Sequence, residues 1–230
     1  MPTTVGWLLA TCVHLGALLV ALTGSAQAAE LTPTRFVMPN GLTVLVIEQH
    51  ALPIIQIQAL TKAGSAQDPP ERAGLANLVA SLLDEGTESR SAKQIADEIE
   101  FVGGQLTLNA TEDYTSASAR VLTKDVTLGF ELLADVLLHP TFPERELERV
   151  RKQILGEILS EKEDPGLVAA KAFYQLVFAD HPYGWPVNGT EESVPKITRS
   201  DIKQFYAREF LPNQTILTAA LSYRRLLRNP

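Results

Sequence analysis

The sequence holds one cysteine, Cys12, and no extended run of lysine or arginine. A lone cysteine excludes an internal disulfide framework. With a formal net charge of -7 and a pI near 5.2, the lack of a basic surface argues against a nucleic-acid partner, because phosphate binding needs clustered cations. Histidine is scarce as well. Beyond residue 28 only His50, His139 and His181 remain, and no two of them repeat at the spacing of metal ligands. Residues 1–34 contain no aspartate, lysine or arginine, and Glu30 is their only acid.

That first segment contains an apolar run over residues 8–22, followed by Gly24 and by Ala26-Gln27-Ala28, the A-x-A pattern of a signal-peptidase site. It reads as a signal peptide over residues 1–28 and places the protein outside the cytoplasm, in the periplasm or beyond. The α-amino group supplies its only positive charge. The run is too short and too soon followed by small residues for a membrane span. Cys12 lies inside this segment, so the exported chain would have no thiol chemistry; Thr11 before it is bulkier than a lipoprotein site wants.

The remainder has an ordinary globular composition. With 230 residues, 45% hydrophobic and 20% charged, the chain can bury one sizeable core or two modest ones, and it shows neither repeats nor low-complexity tracts. Asn40-Gly41 between apolar runs at 35–37 and 43–47 predicts a hairpin, and 54–60 predicts a third strand. Ser91 with Gln94 forms a capping box ahead of a helix that Gly103-Gly104 ends. Alternation at 106–110 and 115–121 around Thr111-Glu112-Asp113 predicts a second hairpin. Helices follow at 126–138, from Pro143 to about 162 with the stripe Leu147, Val150, Ile154 and Ile158, at 167–178, and at 202–208; a strand at 215–220 completes the pattern. The expected class is α+β, an antiparallel sheet with helices packed on it.

The stretch 74–87 carries the chemical question. Leu75, Leu78, Val79, Leu82 and Leu83 form one apolar stripe of a helix ended by Gly86, and Asn77, Ala80, Ser81 and Asp84 fall on the opposite face. Positions 77, 80 and 81 have the spacing at which a helix presents two zinc-binding histidines and a glutamate.

Several further pieces in order, Pro39-Asn40-Gly41-Leu42-Thr43-Val44, Ala63-Gly64-Ser65, Gly74-Leu75-Ala76 with Glu85-Gly86-Thr87, Gly103-Gly104, Asn109-Ala110, His139-Pro140-Thr141-Phe142, Glu157-Ile158 and His181-Pro182-Tyr183-Gly184, resemble the N-terminal domain of the pitrilysin/insulinase metallopeptidases. That family includes the processing peptidases and their bacterial relatives. The resemblance spans residues 35–220 and implies a domain over 29–221. It also implies that active relatives carry His-x-x-Glu-His where this chain has Asn77, Ala80 and Ser81, with a later glutamate at Glu157 as the remaining ligand and Val150 in place of an upstream acid. Zinc needs imidazole and carboxylate donors that an amide, a methyl and a hydroxyl do not replace. Glu157 reads equally as a former ligand or as a carboxylate at a solvated boundary.

The expectation is therefore a domain without zinc and without catalysis. It would act as the partner of an active zinc-peptidase homologue, or as the peptide-binding half of an exported peptidase whose C-terminal domain lies elsewhere. Alternatives are an active zinc metalloendopeptidase with unorthodox ligands such as Asp84 and Glu157, or a truncated product without function. Residues 222–230, with three arginines, depart from the family pattern and read as an atypical tail left by truncation.

Overall fold

The computed structural model describes residues 32–49 and 52–221. The expected signal peptide, Cys12, His50 and the tail at 222–230 lie outside the described residues.

Six strands form one mixed sheet in the order β1-β2-β6-β3-β5-β4, with β1 Thr34–Val37, β2 Thr43–Glu48, β3 Ile54–Thr61, β4 Gln105–Ala110, β5 Thr115–Leu122 and β6 Thr215–Leu221. The two hairpins are where the sequence puts them. In the first, Gly41 adopts φ 89°, and a Cβ there would lie 2.7 Å from that of Asn213, so only glycine fits the turn. In the second, Thr111 N–H closes on the Tyr114 carbonyl at 2.8 Å.

The sheet departs from the antiparallel expectation at one pairing. β2 and β3 are consecutive in sequence but leave a gap between them, and β6 fills it, parallel to β2 and antiparallel to β3. Short-range pattern cannot reveal a strand that returns after all the helices.

Among the described residues six α-helices accompany the sheet: α1 Leu75–Leu82, α2 Ala92–Phe101, α3 Val126–Leu138, α4 Glu144–Glu161, α5 Pro165–Phe178 and α6 Arg199–Glu209. Val44, Val46, Ile55, Ile57, Ala117, Ala119 and Ala219 line one sheet face and pack with Leu133 of α3. A second core joins α1 to the stripe Leu147, Val150, Ile154 and Ile158 of α4 and to Ile202 and Phe205 of α6.

Three boundaries differ from expectation. α1 ends at Leu82, four residues before Gly86, because 83–85 tighten into turns in which Leu83 N–H reaches the Ala80 carbonyl and Glu85 N–H that of Leu82. α5 starts at Pro165, since Asp164 caps it by accepting the Gly166 and Leu167 N–H groups. α6 starts at Arg199, where Thr198 and Asp201 form a capping box.

Candidate functional site

The site is built on α1, and its N-terminus is fixed first. Asp68 is buried and accepts the Gly74 N–H at 2.9 Å and the Ala76 N–H at 3.0 Å, so it fills part of the unsatisfied first turn. Burial pushes its carboxyl up to about 7, opposed by the N–H groups of Ala76, Gly74 and Leu75 and by the Arg208 charge. Gly74 adopts φ 97°, and a Cβ on it would lie 2.9 Å from the Asn188 carbonyl oxygen. The chain therefore enters α1 through a left-handed residue pressed against the 186–189 loop.

All five apolar-stripe residues of α1 are buried, as the pattern predicts. The opposite face is not a solvated one. Ala80 is 0% exposed, and Asn77, Ser81 and Asp84 are only half-exposed. The reason is position: α1 is central and packs against α4, α6, β4 and β5.

Beyond the helix, Glu85 pairs with Arg149 of α4, which also holds Glu146 at 2.8 Å. These two carboxylates keep the guanidinium well above its ordinary range. Among the described residues Asp84 forms no ion pair, although the Arg149 charge partly opposes the shift of its carboxyl. Burial first, and the Glu85 charge second, push its carboxyl up to about 6. The loop leaving α1 is tied to α3 through Asp135, which accepts from Thr87 Oγ1, Ser89 Oγ and Arg90 Nη1, each at 2.8 Å. Those contacts hold Asp135 below the usual carboxylate range even though burial opposes them.

The other candidate residues lie on other elements. Glu157 is exposed on α4 and accepts from Gln153 Nε2 at 3.1 Å. Val150 belongs to the buried stripe. His139 is exposed beside Asp135, Nδ1 to Oδ1 3.4 Å, and His181 accepts the Tyr183 N–H on Nδ1 at 3.2 Å in a loop turn. Among the described residues no group of three or more His, Cys, Asp or Glu side chains is placed to hold a metal ion. The donors required for zinc are missing at Asn77, Ala80 and Ser81, and Ala80 is fully buried. The residues present do not fit the metal.

What the fold does offer beside α1 is a sheet edge. Among the described residues β4 pairs only with β5, so half of its backbone N–H and C=O groups face away from the sheet. Leu106, Leu108 and Ala110 turn toward the helices, while Gln105, Thr107 and Asn109 are exposed on the open face. A groove of 530 Å³ lies between this edge and α2, and Asp84 and Glu85 are among its lining residues. Sequence reasoning did not find this groove, because it is assembled from three separate elements. It did not find Asp68 or Asp135 either. A buried acid six residues before a Gly-Leu-Ala helix start is the one local sign of the cap.

The fold and site thus define an α+β domain whose central helix has the frame of a metallopeptidase helix without its donors. The sequence profile of Insulinase (Peptidase family M16) matches residues 43–191, and the chain belongs to this family. It is 33% identical over 193 residues to a protein named as an uncharacterized zinc protease of Mycobacterium tuberculosis, covering 84% of this chain and 44% of that one. A zinc protease of the same description from Rickettsia bellii is 28% identical over 183 residues, with 80% and 44% covered. The chain spans under half the length of these curated relatives. Among solved structures, the peptidase M16 inactive domain from Pseudomonas fluorescens superposes with a TM-score of 0.80 at 28% identity, covering 85% of this chain and 48% of that one. Pitrilysin shares the fold, with a TM-score of 0.76 at 18% identity over 86% of this chain and 22% of its own.

Proposed function

We propose that this chain is a zinc-less, non-catalytic member of the family that acts by binding peptide, as partner subunit or substrate-holding half of an exported zinc peptidase. The observation that carries the reading is α1: its core face and its capped, glycine-framed entry are intact, while positions 77, 80 and 81 hold an amide, a buried methyl and a hydroxyl. The inactive domain from Pseudomonas fluorescens supports it as a precedent of the same fold and similar sequence. Peptide binding uses the edge of β4, where an extended segment adds a strand through main-chain hydrogen bonds.

Two measurements on the full chain test this. Elemental analysis is expected to find no stoichiometric zinc, with no cleavage of fluorogenic peptides. About one zinc per chain, removable by chelator with loss of activity, would overturn the non-catalytic reading. Export is tested by sequencing the N-terminus of the protein recovered outside the cytoplasm, which is expected to begin at Ala29.

A further inference from the structure

The chain holds two Asn-Gly pairs, and the same kind of turn is built on each. Met38-Pro39-Asn40-Gly41 closes with the Gly41 N–H donating to the Met38 carbonyl at 2.8 Å, and Pro186-Val187-Asn188-Gly189 closes with the Gly189 N–H donating to the Pro186 carbonyl at 2.9 Å. Both glycines are left-handed, at φ 89° and 79°. A main-chain nitrogen reaches the preceding side-chain carbonyl most readily when it belongs to glycine, because no Cβ stands in the way. The two turns therefore carry the same reaction in principle, and their surroundings decide which one proceeds.

Asn40 is exposed, and its Oδ1 accepts the Leu42 N–H at 3.1 Å. That bond folds the carboxamide over the Gly41 peptide and puts a donor on the oxygen that takes up charge when the carbonyl is attacked. The Gly41 N–H must first leave the Met38 carbonyl, and this opening is local. β1 is a four-residue edge with every residue exposed, and among the described residues it pairs with β2 alone. Asn188 is held differently. Its Nδ2, the leaving group, donates to Glu161 Oε1 at 2.9 Å, and the N–H equivalent to that of Leu42, on Thr190, goes instead to Ser193 Oγ at 2.9 Å. Gly189 is buried, and a Cβ on it would lie 2.3 Å from the Ala73 carbonyl oxygen, so opening this turn disturbs the entry to α1.

We propose that Asn40 is a site of spontaneous modification, deamidating through a succinimide to aspartate and isoaspartate, while Asn188 is spared by its surroundings. The Gly41 nitrogen gives its proton to solvent base and bonds to Cγ of Asn40. The Cγ–Nδ2 bond then breaks, and Nδ2 leaves as ammonia with a proton from water. Water opens the resulting ring at either carbonyl. Opening at the side-chain carbonyl gives aspartate; opening at the main-chain carbonyl gives isoaspartate, whose backbone runs through Cβ and Cγ and is one atom longer. Turn geometry and loop length set the register of a hairpin, and Gly41 is wedged against Asn213, so the longer turn loosens β1 from β2. β2 keeps its pairing with β6.

The test ages the full chain in mildly alkaline buffer, folded and in urea, and follows both sites by mass spectrometry of peptide digests. In urea the two pairs should deamidate within about twofold of each other, and folding should slow Asn188 at least about tenfold more than Asn40. Equal protection of the two sites by folding, or greater protection of Asn40, would overturn the assignment. Hydrogen exchange compares the aged chain with Asn40→Gln aged alongside it, since glutamine closes the corresponding larger ring far more slowly. Exchange should rise in β1 of the unaltered chain, stay unchanged in β3 and β5, and change nowhere in the variant. Isoaspartate at position 40 with β1 exchange unaltered would overturn the loosening of β1, and a rise in β1 that also appears in the aged variant would overturn its attribution to Asn40.

Discussion

Asp68 holds the start of α1 through Ala76, whose N–H it accepts at 3.0 Å, and its second oxygen takes the Gly74 N–H at 2.9 Å. A buried cap of this kind acts on stability in two ways. Removing it in Asp68→Ala leaves two buried donors unsatisfied and should cost about 2–3 kcal/mol. The second effect depends on pH. The folded carboxyl, near 7, lies above its ordinary value of 3.8, so the folded state binds more protons than the unfolded state between these limits. Its contribution is therefore fully present below about pH 4, declines as pH rises and is gone above about 7. Asp84, at about 6, acts with the same sign over a narrower window. Urea midpoints of the full chain should fall between pH 4.5 and 7.5, and Asp68→Asn should flatten most of that slope. An unchanged slope would refute the role of Asp68.

Asp135 makes the opposite prediction. Its carboxyl is held below 3.8 by Thr87, Arg90 and Ser89, so its contribution is present above that value and is lost only as pH falls further. Asp135→Ala would leave Arg90 paired with Glu98 alone and take one acceptor each from the Thr87 and Ser89 hydroxyls, at a cost of about 1–3 kcal/mol. Thr87→Val removes one donor and should cost about 1 kcal/mol. Because these bonds tie the 86–91 loop to α3, hydrogen exchange in Asp135→Ala should rise first in that loop. Uniform exchange across the domain would show that Asp135 serves global stability instead.

Much of the fold is written in local chemistry. Asn40-Gly41 reports its hairpin, Ser91 and Gln94 report the start of α2, and the four-residue stripe of α4 is buried as its spacing requires. Thr198 with Asp201 was equally readable. What local chemistry does not contain is which surfaces meet. The insertion of β6 between β2 and β3, the burial of Ala80 and the groove at Asp84 each depend on elements far apart in sequence. The absence of zinc donors on α1 was legible because it is a matter of residue type. The enclosure of that helix on nearly every side was not.

That enclosure changes what repair of the metal site should do. Asn77→His with Ser81→His places two imidazoles one turn apart at half-exposed positions and should bind zinc weakly, with little loss of stability. Adding Ala80→Glu forces a carboxylate into a position that is 0% exposed and should cost about 2–3 kcal/mol through overpacking and desolvation. Glu157, exposed on α4, should add little affinity as a third ligand, so Glu157→Gln in the double-histidine background should leave zinc binding within about twofold. Titration with zinc and thermal melts of the series decide it. A triple variant as stable as the double one would show that Ala80 has room, and a large loss of zinc affinity on Glu157→Gln would show that this acid faces α1 after all.

The last prediction concerns α5. None of its residues is buried, and Leu167, Val168, Phe173, Tyr174, Leu176 and Val177 are all exposed, Leu176 at 82% and Phe173 at 60%. A helix this apolar along its surface normally marks an interaction site or an association liability. Its own packing is confined largely to the 182–184 turn, so its exposed side chains contribute little to the fold they are attached to. The two effects can be separated by substitution. Leu176→Lys with Phe173→Ser should leave the thermal midpoint nearly unchanged, because surface changes away from packed features stay within about 0.5 kcal/mol. Self-association of the isolated chain, which the exposed face should drive, is expected to weaken by at least about tenfold, as removal of one or two buried large apolar side chains from an interface implies. Sedimentation across a concentration series measures the second effect and calorimetry the first. An unaltered chain that stays monomeric at high concentration would refute the argument, and a double variant that unfolds would show that α5 packs on the domain more tightly than its exposure indicates.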